Sequence, residues 1–203
     1  MEEERKYSAE IAAAVNKFLV DDDWRFDFSE EEGCFRFTLT LDGKLKEARY
    51  WILINEDDYT VYAYSPIGAD KNDERMMSVM ADFICRANYG MKNGNFELDM
   101  MDGEIRYKCY VDCDGALPCD DVIRNSIYCP AHMLERYGAG IVDIVCLDGS
   151  AADAIAKCEI KQRTRFYNAP SAFDVSAADA RGAPVLPPLQ LRARRRRRRR
   201  PRQ

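Results

Sequence analysis

Residues 35–65 read FRFTLTLDGKLKEARYWILINEDDYTVYAYS, and their alternation decides the architecture. Phe35, Phe37, Leu39 and Leu41 are separated by Arg36, Thr38 and Thr40. A period of two places the apolar set on one side of a strand and the polar set on the other, so this is a half-buried strand. Asp42-Gly43 follows, a hairpin signal because both central residues of a type I′ turn take positive φ. The return run Tyr50-Trp51-Ile52-Leu53-Ile54 is apolar at every position, which predicts a central strand covered on both faces. Glu56-Asp57-Asp58 turns the chain into a strand over Tyr59–Ser65. Pro66 closes it, having no N–H to give to a ladder.

Working outward, Ser8 to Val20 has helical spacing, with Ile11, Ala14, Val15, Phe18 and Leu19 on one face. Ser8 caps it by accepting from an orphan amide of the first turn, and Glu10 suits the positive end of the dipole. Asp21-Asp22-Asp23 stops the helix, and Trp24, Phe26 and Phe28 alternate as a short strand. Residues 72–89 predict a second helix with Met76, Met77, Met80, Phe83, Ile84 and Ala87 on one face and Gly90 just past its cap. Phe96, Leu98 and Met100 run into a turn at Asp102-Gly103, from which Ile105, Tyr107, Cys109 and Val111 return. Residues 120–147 are helical again, with Pro130 expected to kink or split them. Residues 150–158 make a last short helix.

The fold class that follows is α+β, in the order α-β(β)ββ-α-ββ-α. An antiparallel sheet, a three- or four-strand meander plus a β-hairpin, is packed with helices over residues 1–159. Beyond Glu159 the periodicity fails, prolines gather at Pro184, Pro187 and Pro188, and a run of seven arginines follows. Residues 160–203 are expected to be a disordered, proline-containing, arginine-rich tail.

Charge divides the chain in the same place. Residues 185–203 hold nine arginines and no acid, which turns the overall net charge of −5 into −14 for residues 1–184. An acidic body argues against nucleic-acid binding by the folded part, and the tail argues for it locally. The opening MEEERKYSAE is too charged for a signal peptide. No apolar run approaches the ~20 residues of a transmembrane segment. Eight cysteines in 203 residues fall well below the density of a disulfide scaffold. A cytoplasmic setting is expected, with most thiols acting as small buried hydrophobes.

The stretch Asn88-Tyr89-Gly90, Asn93-Gly94-Asn95-Phe96-Glu97-Leu98-Asp99, Gly103-Glu104-Ile105-Arg106-Tyr107 resembles the N…G-x-F-x-x-D…G-x-[IV]-x-[YF] core of YbjN-like proteins. Asp143-Ile144-Val145 with Ala151, Ala154, Ile155 and Glu159 resembles the end of that domain, so the likeness covers about residues 8–159. These positions are mostly fold-determining: a turn glycine, a core aromatic, a hairpin. Members of the family resemble type III secretion chaperones in fold and are described as sensory-transduction regulators. The resemblance implies protein binding rather than catalysis, and it supplies no catalytic residue. The arginine tail and the cysteine-rich third quarter depart from the family pattern.

Among residue constellations, Cys113, Cys119, Cys129 and His132 offer four ligands of the kinds that hold a tetrahedral zinc. Their spacing fits no standard ribbon or finger, so ordinary thiols and a solvent-facing histidine are expected instead, with no metal or cofactor. Cys109 falls outside the set, roughly 13 Å from Cys113 along a strand at ~3.3 Å per residue. Cys129 lies one helical turn from His132, the spacing of a thiolate–imidazolium pair, but no orienting group or oxyanion hole accompanies it. No catalytic residue is assigned, and the chain is not expected to be an enzyme.

Met76, Met77 and Met80, with Met100 and Met101, either fill the core or form a deformable surface for apolar partners. Arg192, Arg194, Arg195, Arg196, Arg197, Arg198, Arg199, Arg200 and Arg202 form an anion-binding arm suited to nucleic acid or an anionic surface without sequence preference. The acidic body could mask that arm, or the arm could be an extension with no selected role. The leading expectation is a non-enzymatic cytoplasmic protein-binding module, chaperone-like or regulatory, acting as a homodimer. A protein that binds nucleic acid through its arm is the alternative, and a zinc-binding or thiol-dependent protein the third.

Overall fold

Alternation in the deciding stretch becomes three antiparallel strands in a computed structural model that describes residues 6–167. They are β2 (Cys34–Thr40), β3 (Glu47–Ile54) and β4 (Asp58–Tyr64), preceded by α1 (Ala9–Asp21) and the short β1 (Asp27–Ser29). After β4 come α2 (Glu74–Asn88), β5 (Asn95–Leu98), β6 (Ile105–Asp112), α3 (Asp120–Leu147) and α4 (Ala151–Tyr167). The strands form one antiparallel sheet in the order β1-β2-β3-β4-β6-β5. The meander and the hairpin therefore join through β4 and β6, with α2 crossing between them. The fold is α+β, as the periodicities indicated.

One side of the sheet carries the core. Phe35, Tyr50, Ile52, Val61, Ala63, Tyr107 and Cys109 are fully buried there with Val15 and Leu19 of α1, Met80 and Phe83 of α2, and Ile123, Ile127 and Ile141 of α3. Helix starts follow their capping residues. Ser8 Oγ accepts from Ile11 N at 3.3 Å, and the Asp73 side chain accepts from Met76 N at 2.9 Å.

Four expectations need correcting. First, β3 is covered on one face only: Tyr50, Ile52 and Ile54 are buried, while Trp51 is 41% and Leu53 36% exposed. Second, Asp42-Gly43 is not a two-residue turn. The loop runs from Leu41 to Lys46, closes with Leu41 N on Lys46 O at 2.7 Å, and puts its positive φ of 68° at Lys46. Leu41 and Leu45 are buried, so the six-residue loop anchors itself in the core. Gly43 serves a close approach instead: a Cβ there would stand 3.0 Å from the Glu135 Cα.

Third, Pro130 does not split α3, which is continuous over 28 residues. Its missing N–H withholds a bond from the Ser126 carbonyl. Two hydroxyls from the sheet brace that turn: Tyr50 donates to Ile127 O at 3.1 Å, and Tyr59 OH lies 3.1 Å from Ser126 Oγ. Fourth, α4 continues past Glu159 to Tyr167. The arginine arm, from Arg192 to Arg202, lies outside the described residues.

Candidate functional site

Because the helices occupy one side of the sheet, side chains of the opposite pleat face outward. Strand register aligns them in rows. One row runs Arg36, Trp51, Tyr62, Lys108, Asn95, and the next runs Thr38, Arg49, Tyr64, Arg106, Glu97. A third brings Leu53, Thr60 and Tyr110 side by side. Cations and aromatic rings thus alternate across strands, within the ~4.5–5.5 Å reach of directly opposed side chains.

The guanidinium groups lie over the rings. Arg106 is 4.4 Å from the Tyr62 centroid, Arg36 5.1 Å from Trp51, and Arg49 5.9 Å from Tyr64. Trp51 and Tyr64 meet at 5.1 Å between centroids. Each exposed cation–π contact is worth about 0.5–1 kcal/mol. They hold flexible arginines flat, so part of the ordering entropy is spent before any partner arrives. Burial raises the Tyr64 hydroxyl above its ordinary value, with the hydrogen bond from Arg106 opposing it. Tyr64 is thereby the floor of the face, while Trp51 and Tyr110, the latter 54% exposed, stand above it.

Carboxylates sit among these cations. Glu97 receives Arg106 Nε at 2.7 Å and Lys108 Nζ at 3.7 Å, and Glu32 pairs with Arg36. The Arg36 Nε is buried without a hydrogen-bond partner, held over Trp51 instead. The face is therefore aromatic and mixed in charge rather than uniformly basic. Beside it, Glu97, Leu98, Asp99, Met100, Glu104 and Arg106 line a hollow of ≈ 490 Å³ near the β5–β6 turn.

The sequence-derived candidates are placed otherwise. Met77 and Met80 are buried in the core and Met76 packs partly against it, so the methionine face of α2 points inward and offers no partner surface. Of these five methionines, only Met100 and Met101 stand exposed, at the hairpin turn. Among the described residues no group of three or more His, Cys, Asp or Glu is placed to hold a metal ion. Cys113 is buried just after β6, Cys119 is the exposed N-cap of α3, and His132 is exposed on α3. His132 lines a different groove, of ≈ 810 Å³, with Asp42, Lys44, Lys46, Arg136 and Lys157. Cys129 turns away toward the sheet, where it meets Cys109 and Tyr107.

Sequence reading missed the outward rows. The signal was present in Arg36, Arg49, Arg106 and Lys108 interleaved with Trp51, Tyr62 and Tyr110, but it becomes a surface only once register sets those strands side by side. The described helices include none long and apolar enough to cross a membrane. No protein-family model matches the chain, and no curated protein matches it in sequence.

Proposed function

We propose that this chain is a non-enzymatic protein-binding module of the cytoplasm, chaperone-like or regulatory in role, whose open sheet face receives a second copy of the chain. One observation carries the reading: Trp51 stands 41% exposed at the middle of a face whose arginines are already stacked on its tyrosines. Trp, Tyr and Arg are the side chains that dominate binding energy at protein interfaces.

Charge favours a protein over a nucleic acid on this face. Its cations are largely met by Glu32 and Glu97, and residues 1–184 carry −14, which repels phosphate. It also favours self-association. In an isologous contact each patch meets itself, and a face bearing both signs can set its cations over the copy's carboxylates. The four long strands, three spacings of ~4.8 Å by seven residues of ~3.3 Å, give roughly 330 Å² in plan, and side-chain relief and the short edge strands add to the contact area. The YbjN-like motif agrees in implying a protein-binding role.

Light scattering coupled to size exclusion tests this on the full chain, freed of nucleic acid at high salt. The expected mass is that of a dimer, falling to a monomer in Trp51→Glu with an unchanged far-UV circular dichroism spectrum. A monomeric wild type at tens of micromolar, or a dimeric Trp51→Glu, overturns the proposal. Mass that disappears only when nuclease is added would point to the arginine arm and nucleic acid instead.

A further inference from the structure

Two thiols meet under a single turn on the core side of the sheet, away from the open face. Cys109 on β6 is fully buried, and Cys129 on α3 is half-buried. Both are thiols, and each lies close enough to the other to shift its ionisation. The turn Asn93-Gly94 closes over the pair. Cys129 Sγ lies 3.6 Å from the Asn93 carbonyl oxygen, and a Cβ on Gly94 would fall 2.9 Å from Cys109 Sγ. Tyr107 fixes the turn by donating its hydroxyl to the same Asn93 oxygen at 2.6 Å, and that hydroxyl is 4.0 Å from Cys129 Sγ.

We infer that Cys109 and Cys129 form a redox site that consumes one hydroperoxide and closes a disulfide between β6 and α3. The division of labour follows from exposure. Cys129 is the thiol that solvent can reach, and Cys109, sealed beneath it, resolves. The Cys129 thiolate sulfur attacks the distal oxygen of the hydroperoxide. The O–O bond breaks, the alcohol or water leaves with one proton, and Cys129 becomes a sulfenic acid. Cys109 sulfur then attacks the Cys129 sulfur, forming the S–S bond. The expelled hydroxide takes the Cys109 proton and departs as water. Two thiols are oxidised by two electrons, and one peroxide is reduced.

Electrostatics assist the order of events. The contact with Cys109 lowers the Cys129 thiol below its ordinary value, against the opposing effect of burial. The same contact, followed by burial, raises Cys109. Cys129 is therefore the readier of the two to ionise, and Cys109 keeps the proton that it later gives up.

The test uses the full chain with the exposed Cys85, Cys119 and Cys146 changed to serine, treated with one equivalent of hydrogen peroxide at pH 7. Peptide mapping should recover a fragment linking 109 to 129, absent after dithiothreitol. Cys129→Ser should slow total thiol loss severalfold, because the thiols that remain, Cys34, Cys109, Cys113 and Cys158, are all buried. Cys109→Ser, or Cys109→Ala if serine disturbs the core, should leave a sulfenic acid at Cys129 that dimedone traps. Failure to recover the 109–129 link in the folded protein overturns the inference. So does a Cys129→Ser variant that oxidises as fast as its parent.

Discussion

Asn88 holds Phe96 by both of its amide atoms, accepting from Phe96 N at 2.7 Å and donating to Phe96 O at 2.9 Å. The last residue of α2 thus supplies the ladder bonds that the edge strand β5 lacks on its free side. Phe96 is in turn packed edge-on to Tyr107 and Tyr137. Asn88→Ala would leave the partly buried Phe96 N–H unpaired, at a cost of about 1–3 kcal/mol, while Phe96 O keeps the Asn95 side-chain amide at 3.1 Å. Urea unfolding should show a loss within that range, and a loss under about 0.5 kcal/mol, the scale of ordinary surface changes, would count against this role.

Around Pro130 the expected outcome is a pair of modest losses. Tyr50→Phe and Tyr59→Phe each remove one hydroxyl that braces α3, and each should cost about 0.5–1.5 kcal/mol. In Pro130→Ala the helix regains its own bond to Ser126. The Tyr50→Phe penalty should then shrink, as a double-mutant cycle would show. Equal penalties in both backgrounds would mean that the hydroxyl does not compensate for the proline.

Alkaline pH should unfold the protein cooperatively. Burial raises the Tyr59 phenol from 10.0 to about 12, with the Ser126 hydrogen bond opposing, and burial raises Tyr50 well above the same starting value. A raised folded-state value means that the neutral form stabilises the fold fully below about pH 10, and that this is lost as pH climbs through about 12. Part of the phenolate absorbance should therefore appear only as the circular dichroism signal collapses. Phenolate formation completed in a fully folded protein would contradict it.

Gly94→Ala should destabilise by more than about 1 kcal/mol. Its φ is +73°, and the added Cβ would press on Lys108 O and the Tyr107 ring as well as on Cys109. Thermal unfolding reads the loss. The Asn93-Gly94 turn should lift, exposing Cys109 to faster alkylation than in the parent.

Much of the fold could be read from periodicity, because burial on one side imposes it. β2, α1, α2 and the β5–β6 hairpin were all placed by it, with ends shifted by a residue or two. What misled was residue type taken alone. Trp51 and Leu53 are apolar yet face outward, Trp51 beneath the Arg36 guanidinium rather than beneath a second layer. Met77 and Met80 could be read as core or as adaptable surface, and they are buried in the core. Gly43 looked like a turn residue, and the chain uses it to pass close to α3. The open face and the Cys109–Cys129 pair were hidden for another reason. Their members come from separate elements, and only pairing brings them together.

The outermost strands of the sheet have a further consequence. β1 has three residues and β5 four, and the β5 edge is already stapled by Asn88. So little free backbone gives a wandering strand almost nothing to zip onto, which is how natural sheets avoid templating fibres. Recognition by adding an extended peptide to the rim is closed for the same reason. Newly made copies at high local density can therefore collide through their broad flat side without propagating into an open-ended assembly.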